Sequence, residues 1–305
     1  MASLLLIFPF VIAALVAIFL IHRLLSFVEQ RKIDKRNNYH LINGKKLYFY
    51  EAGQGIDLIV LLSGSGIACP FMDMQPLYNS KLQEKCRFLI IDRLGSGISD
   101  DAKDERNLDK ISVELMSLIE ARRGTGRVFL AGHSLAGLIV AGMAQRYPEK
   151  VDSILLLDAP SLSNAVNFRD PFPKMLLTVF KYGRILGLAR IYSFFGHLFA
   201  LFSKKYNANV RFQAICLNKS YFSTAMQQER LNIQAYGAAI LDGGQIESKT
   251  MMISSTQSFT QWNEEDCKIF KDLEQYQLDT RQHFIHQQYS EYVTEKLESL
   301  TAQRG

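Results

Sequence analysis

The sequence predicts an α/β fold, a mostly parallel central sheet flanked by helices, with a helical cap inserted late and a transmembrane helix at the N-terminus. Three observations lead there. Continuous apolar runs of strand length, at Asp57–Leu62, Arg87–Asp92, Val128–Ala131 and Val151–Asp158, alternate with helix-like stretches, the pattern of a parallel sheet covered on both faces. One junction, residues 128–137 (Val-Phe-Leu-Ala-Gly-His-Ser-Leu-Ala-Gly), passes from strand to helix through a serine. The alternation stops after Asp158 and resumes at Met251-Met-Ile-Ser-Ser255, leaving an insertion of about 90 residues, 160–249, without a buried-strand pattern.

The first element is residues 1–22. Ala2 to Ile21 carries no charged side chain, and as a helix a run of this length spans about 30 Å, enough for a bilayer core. A cleaved signal peptide would place positive charge before the apolar run and small residues after it. Here no Lys or Arg precedes the run, which ends in Phe19-Leu20-Ile21-His22-Arg23, so an uncleaved anchor is expected. Residues 23–39 read as a basic linker, with Arg23, Arg31, Lys32, Lys35 and Arg36 against Glu29 and Asp34. That asymmetry predicts a single-pass topology with the body of the protein in the cytoplasm, the basic segment lying against anionic headgroups.

Residues 40–305 form the body. A strand-like pattern begins at His40 and includes Lys46–Glu51; Gly53–Gly55 then turns the chain into the buried run Asp57–Leu62. Leu108–Ala121 is helical by the spacing of Leu108, Ile111, Leu115, Leu118 and Ile119. A second helix starts directly after Ser134. The insertion 160–249 is expected to be a mainly helical cap. It holds eleven Lys and Arg against Asp170, Glu229, Asp242 and Glu247, a net of +7 in a chain of net +5. Apolar and aromatic residues interleave with those charges at Met175–Phe180 and Tyr192–Phe202. Two readings of the cap stay open: an amphipathic lid burying its apolar face on the pocket, or a lid that also rests on the inner leaflet. Cys69, Cys86, Cys216 and Cys267 have neither CxxC nor Cys/His spacing, so neither a zinc site nor a disulfide framework is expected.

The serine junction carries the chemistry. A strained strand–turn–helix exposes a hydroxyl where a nucleophile must stand, and Gly132 and Gly137 supply small neighbours, although Ala136 replaces the glycine of a strict G-x-S-x-G. A serine hydroxyl needs a base, an orienting acid and donors for the developing oxyanion. Ser63-Gly-Ser-Gly66 follows the strand ending at Leu62, and the N–H groups of Ser65 and Leu135 make a candidate oxyanion pair. Its alternative, a nucleotide-binding glycine loop, lacks the third glycine, since Cys69 stands there. His283 and His286 are both candidate bases near the C-terminus, in the Ser…His order such a sheet requires.

Four ordered segments resemble the α/β-hydrolase superfamily, in its serine-nucleophile esterase, lipase and peptidase-like branch, across most of residues 46–298. Gly132-His-Ser-Leu-Ala-Gly137 is similar to the family's nucleophile elbow, Asp92-Arg-Leu-Gly-Ser-Gly-Ile-Ser99 to its segment after the fourth strand, and Arg146–Val151 to its helix-to-strand link. His283-Phe-Ile-His286 resembles the loop after the last strand, which implies His283 as the base and His286 as a neighbour. The chain departs from the pattern in three places. Ser63-Gly64 stands where the family has His-Gly, Gln282 replaces the glycine before the histidine, and the segment after Met251–Ser255 has no carboxylate before Glu264. A minority of members carry the acid at the end of strand six, where Asp158 stands; otherwise Glu264, Glu265 or Asp266 would supply it.

With the N-terminal anchor and the candidate oxyanion pair Ser65 and Leu135, the resemblance implies a membrane-anchored serine hydrolase cleaving an ester, thioester or amide, with Ser134, His283 and Asp158 as a triad. The expected partners are a small-molecule ester or acyl substrate and, through the N-terminal helix, membrane lipid; no cofactor, metal or nucleic acid is expected. The alternatives are an acyltransferase using the same triad, or a catalytically silent fold serving as a membrane-tethered binding module.

Overall fold

The structure, a computed structural model, describes residues 2–191, 194 and 208–302. Eight strands form one sheet in the order β1-β2-β4-β3-β5-β6-β7-β8: β1 (Tyr39–Ile42), β2 (Lys45–Gly53), β3 (Leu58–Leu62), β4 (Arg87–Ile91), β5 (Val128–His133), β6 (Ser153–Leu157), β7 (Lys249–Ser254) and β8 (Leu273–Gln277). β2 is antiparallel to both of its neighbours, and every pairing from β4 to β8 is parallel.

The uninterrupted apolar strands follow from burial on two faces. Alternate residues along a strand point to opposite sides. Leu58, Val60 and Leu62 of β3, Val128 and Leu130 of β5, and Ile154 and Leu156 of β6 enter one core layer with α2 (Leu108–Arg122) and α3 (Leu135–Arg146). Their alternates Ile59, Leu61, Phe129, Ala131, Leu155 and Leu157 enter the other layer, closed by Met74, Leu77 and the α8 residues Val293, Leu297 and Leu300 (α8, Ser290–Ala302). A polar residue in the middle of any of these strands would therefore face a core, which is why no alternating pattern is visible.

Between β6 and β7 the chain forms helices: α4 (Lys174–Ile185), α5 (Ala208–Ser220), α6 (Thr224–Leu231) and α7 (Ile233–Asp242). No strand lies between them among the described residues. Of the aromatic stretch Tyr192–Phe202, only Phe194 is among the described residues. The cap is fixed to the body by its later helices. Asp101 accepts from the Thr224 and Ala225 amides, each at 3.0 Å, capping α6, and Ser223 Oγ donates to the Gly95 carbonyl at 2.6 Å.

The N-terminal helix α1 runs from Ala2 to Asp34, about 50 Å at 1.5 Å per residue. It is long and apolar enough to cross a membrane, and from Phe8 onward its apolar residues are mostly exposed. The stretch expected to be a linker is helical as far as Asp34, and the reason lies in its packing. His22, Ser26, Glu29, Gln30 and Ile33 fall at helical spacing on one face and contact the body. Ile33 is buried beside Tyr48, Cys69, Ile98 and Cys216. The charges that suggested a basic linker, Arg23, Arg31, Lys32 and Lys35, occupy the exposed positions.

Candidate active site

The sheet register brings the candidate residues to one edge. Leu62 pairs with Gly132, His133 with Leu157, Leu157 with Ile253, and Ile253 with Tyr276, so the residues that follow leave the carboxyl ends of adjacent strands side by side. The ladder extends one step further. The Ser134 amide donates to the Leu157 carbonyl at 2.9 Å, and the Asp158 amide to that of Ile253 at 2.8 Å.

Ser134 has φ 54° and ψ −130°, a backbone conformation that costs a non-glycine residue about 1–3 kcal/mol and is tolerated where surrounding structure imposes it. Strand β5 runs directly into α3 here, and the close passage explains which neighbours must be small. A Cβ on Gly132 would stand 2.4 Å from the Ala136 carbonyl oxygen, and one on Gly137 would stand 2.4 Å from the Ala159 Cβ. Ala136 itself is fully buried with its methyl accommodated, so the elbow tolerates alanine at the position where the strict motif has glycine. Ser134 is half-buried among buried neighbours.

The loop after β3 lies against this elbow: a Cβ placed on Gly64 would be 3.0 Å from the Ser134 Cβ. The Ser65 and Leu135 amides therefore belong to segments in contact. A buried ionic chain holds the loop from behind. Arg93 Nη1 donates to the Ser63 carbonyl at 2.7 Å, while its Nε and Nη2 reach Glu229 Oε2 of α6 at 3.1 and 2.9 Å. Arg106 bonds both carboxylate oxygens of Glu114, at 2.8 and 2.7 Å, and approaches Glu229 Oε1 at 3.5 Å. All four side chains are almost wholly buried. Arg93 stood in the Asp92–Ser99 segment, but nothing in the sequence pattern marks the cap residue Glu229 as its partner.

Asp158 is fully buried directly after β6, itself at φ 45°. Its Oδ2 lies 2.7 Å from His283 Nδ1, and its Oδ1 accepts from the Ser255 amide at 2.7 Å. Burial works to raise this carboxyl, but the hydrogen bonds from His283 and Ser255 prevail and hold it below the ordinary carboxylate range. It is thus an anion facing the imidazole. His283, on the loop between β8 and α8, keeps about a third of its side chain exposed. The other acids considered for this role are engaged elsewhere or solvated. Asp266 accepts from the Ser163 amide (3.0 Å) and hydroxyl (2.6 Å), Glu265 pairs with Lys268, and Glu264 is exposed.

Beneath His283 is a second histidine–aspartate pair. His286 Nε2 lies 3.1 Å from Asp73 Oδ1, which also accepts from Gln287 Nε2 at 2.7 Å, and both His286 and Asp73 are buried. His133, the residue before the serine, lies between the two pairs. Its ring centre is 4.6 Å from that of His283 and 4.4 Å from that of His286, and its Nε2 donates to the His283 carbonyl at 2.9 Å. Burial, reinforced by the neighbouring histidines, pushes its pKa down to about 3, so it is neutral near neutral pH and its Nδ1 carries a lone pair. Donor atoms of Asp73, His133 and His286 all lie within 4.8 Å of one another, a three-donor set that could hold a cation. The three residues are far apart in sequence, so spacing gave no sign of it.

The sequence pattern of the α/β hydrolase fold matches residues 70–286. The chain belongs to that family. Its hydrolase fold is also similar to solved structures: Cfl2 from Burkholderia cenocepacia (TM-score 0.64, 18% identity, 86% of this chain and 94% of that one) and the enol-lactonase of Burkholderia xenovorans LB400 (TM-score 0.58, 17% identity, 87% and 100%). Among curated proteins it is similar to the uncharacterized protein YbdG of Bacillus subtilis, 29% identical over 47% of this chain and 44% of that one. It is also similar to the cis-3-alkyl-4-alkyloxetan-2-one decarboxylase of Shewanella oneidensis, 24% identical over 38% and 36%. The chain spans less than half the length of these curated relatives.

Proposed function

We propose that this hydrolase-fold protein is a membrane-anchored serine hydrolase that cleaves an ester, thioester or amide. The observation that carries the reading is the buried, anionic Asp158 bonded at 2.7 Å to Nδ1 of a partly exposed histidine, on the same sheet edge as a serine held at positive φ. Asp158 fixes the tautomer that bears hydrogen on Nδ1 and leaves Nε2 as the base. In acylation, Ser134 Oγ bonds to the substrate carbonyl carbon as its proton passes to Nε2. The Ser65 and Leu135 amides stabilise the oxyanion, and collapse expels the alcohol, thiol or amine with that proton. Water then attacks the acyl-serine by the same route, releasing the acid and restoring the hydroxyl. The low-identity structural neighbours carry the fold only, whereas the family is one in which this chemistry recurs. The exposed apolar face of α1 supports anchoring, and Arg23 to Lys35 support a cytoplasmic body.

The test is labelling by a fluorophosphonate probe together with hydrolysis of an ester panel graded by acyl length. Ser134→Ala is expected to abolish labelling and to lower turnover by about 10⁴ to 10⁶ with thermal stability nearly unchanged. A variant keeping half of the wild-type turnover would reject Ser134 as nucleophile. Wild-type protein that neither labels nor hydrolyses any ester would favour the silent binding module.

A further inference from the structure

Where the anchor meets the cap, the structure contains a groove that the proposed chemistry does not use. The joint is built around Arg190. Its guanidinium donates to His22 Nδ1 at 2.9 Å, to Ser26 Oγ at 3.0 Å, and to both oxygens of Glu29 at 2.9 and 2.6 Å. Positions 22, 26 and 29 lie on one face of α1, so a single side chain from the cap grips two turns of the anchor. Gly187 stands directly on His22, where an added Cβ would come within 2.6 Å of the His22 Cβ. Lys219 Nζ reaches Gln30 Oε1 at 3.0 Å from the other side.

Beside this joint lies a cavity of about 540 Å³. Its walls among the described residues are Ile18, Ile21 and Leu25 of the anchor and Ile191, Phe194 and Ile215 of the cap. Lys32 and Arg211, both exposed, line its other end. Along α1 the groove runs from Ile18 to Lys32, about 21 Å. Ile18 is five residues before Arg23, the first charge in the chain, and so lies about 7 Å inside the apolar span. Phe194 and Ile191 line the same cavity as Ile18. Val28 of the anchor and Ala214 of the cap continue the apolar lining between these walls and the cations. The acid within the groove, Glu29, is neutralised by Arg190.

From this we infer that the groove between α1 and the cap binds an anionic phospholipid of the surrounding leaflet, one acyl chain lying along Ile18–Leu25 and the phosphate at Lys32 and Arg211. The inference rests on the reading of α1 as an anchor. An apolar trough that begins at hydrocarbon depth and ends at two cations has the polarity of one such lipid, whereas a soluble anion would leave the apolar half unused. A lipid seated there would touch both α1 and the segment that Arg190 fixes, making bilayer composition part of the cap's packing.

The experiment uses the full-length protein in vesicles of phosphatidylcholine carrying a trace of diazirine-acyl phosphatidylglycerol or, in parallel, diazirine-acyl phosphatidylcholine, followed by peptide mapping. Cross-links at residues 18–25 and 211–215 several-fold stronger for the anionic lipid are expected. Ile191→Trp, which fills the trough, should remove most of that labelling while leaving labelling of the outward face at Phe8–Val16 unchanged. Lys32→Glu with Arg211→Glu, both exposed and safe for folding, should erase the preference for the anionic lipid. Equal labelling by the two lipids, or groove labelling indifferent to both variants, overturns the inference. Carbonate extraction separates the two levels: protein that stays with the vesicles without groove labelling refutes the lipid site alone. Protein recovered in the soluble fraction refutes the anchor and the site with it.

Discussion

His283 and His286 stand three residues apart, the first on the loop after β8 and the second on the one-turn helix Ile285–Gln288, each bonded to an aspartate from a different part of the fold, and only one of the pairs meets solvent. His283 keeps about a third of its side chain exposed and Asp158 has none, whereas His286 and Asp73 are both buried. Both carboxyls lie below the ordinary range for the same balance of causes: burial raises them, and bonding to a histidine outweighs burial. What separates the pairs is access. A base must exchange its proton with a substrate, so under the proposed function the partly exposed imidazole is the one expected to turn over and the enclosed one to hold structure. His133 joins the pairs, with its ring against both histidines and its Nε2–H on the His283 carbonyl. The buried pair thus lies beneath the loop that carries His283.

The sharpest way to break this comparison is to remove each imidazole in turn. His283→Ala should cut kcat by about 10⁴ to 10⁶ and lower the melting temperature less than loss of the enclosed imidazole, because the partly exposed site admits water to the Asp158 carboxylate. An active His283→Ala protein would overturn the assignment of the reactive pair. Asp158→Asn comes next, with an expected loss of about 10⁴ in kcat, since an amide neither fixes the Nδ1–H tautomer nor stabilises the imidazolium. If that variant stays active while an Asp266 variant does not, the acid belongs after β7 rather than β6.

How much of this was legible in the sequence varies with the kind of signal. The strands buried on two faces, the family and the serine elbow rest on local patterns of a few residues, and the chain carries them openly. Asp158 was readable only as one option beside Glu264, Glu265 and Asp266, because its partner lies 125 residues away and only β6–β7–β8 pairing brings them together. Asp73 had no signal at all: it sits on a one-turn helix, and its role exists only through contact with His286. Glu229 was hidden for the same reason, as one acid in a basic cap. The charges of residues 23–39 suggested a basic linker because charge is visible in sequence, whereas the docking stripe of His22, Ser26, Glu29 and Ile33 depends on contacts with the body, such as Arg190 of the cap.

A smaller effect is expected from the enclosed pair. His286→Ala removes a donor from a buried carboxylate whose other partners are Gln287 and Ser63, at a cost of about 3 kcal/mol. That corresponds to a fall of roughly 6–12 °C in melting temperature for a body of this size. Turnover measured well below the transition should fall by no more than about tenfold. A His286→Ala enzyme as stable as wild type but inactive would exchange the roles of the two histidines.

The smallest effect concerns acid. Because the folded-state carboxyl of Asp73 lies below its ordinary value near 4, its contribution to stability is fully present above that pH and is lost as pH falls through the folded value. Asp73→Asn removes this proton linkage while keeping a side chain of the same shape that can still bond His286 and Gln287. Its melting temperature at pH 7 should therefore lie below that of wild type, and below about pH 4 the two curves should converge. One group can contribute at most about 1.4 kcal/mol per pH unit to the wild-type slope, so the change in slope is a few degrees per unit. Asp158 contributes in the same direction and is untouched in this variant, so a residual acid slope should persist. Curves that stay parallel from pH 7 to pH 3 would mean that Asp73 titrates alike in the folded and unfolded chain. The enclosed pair would then owe nothing to charge, and access to solvent could not be what divides it from the pair at the edge.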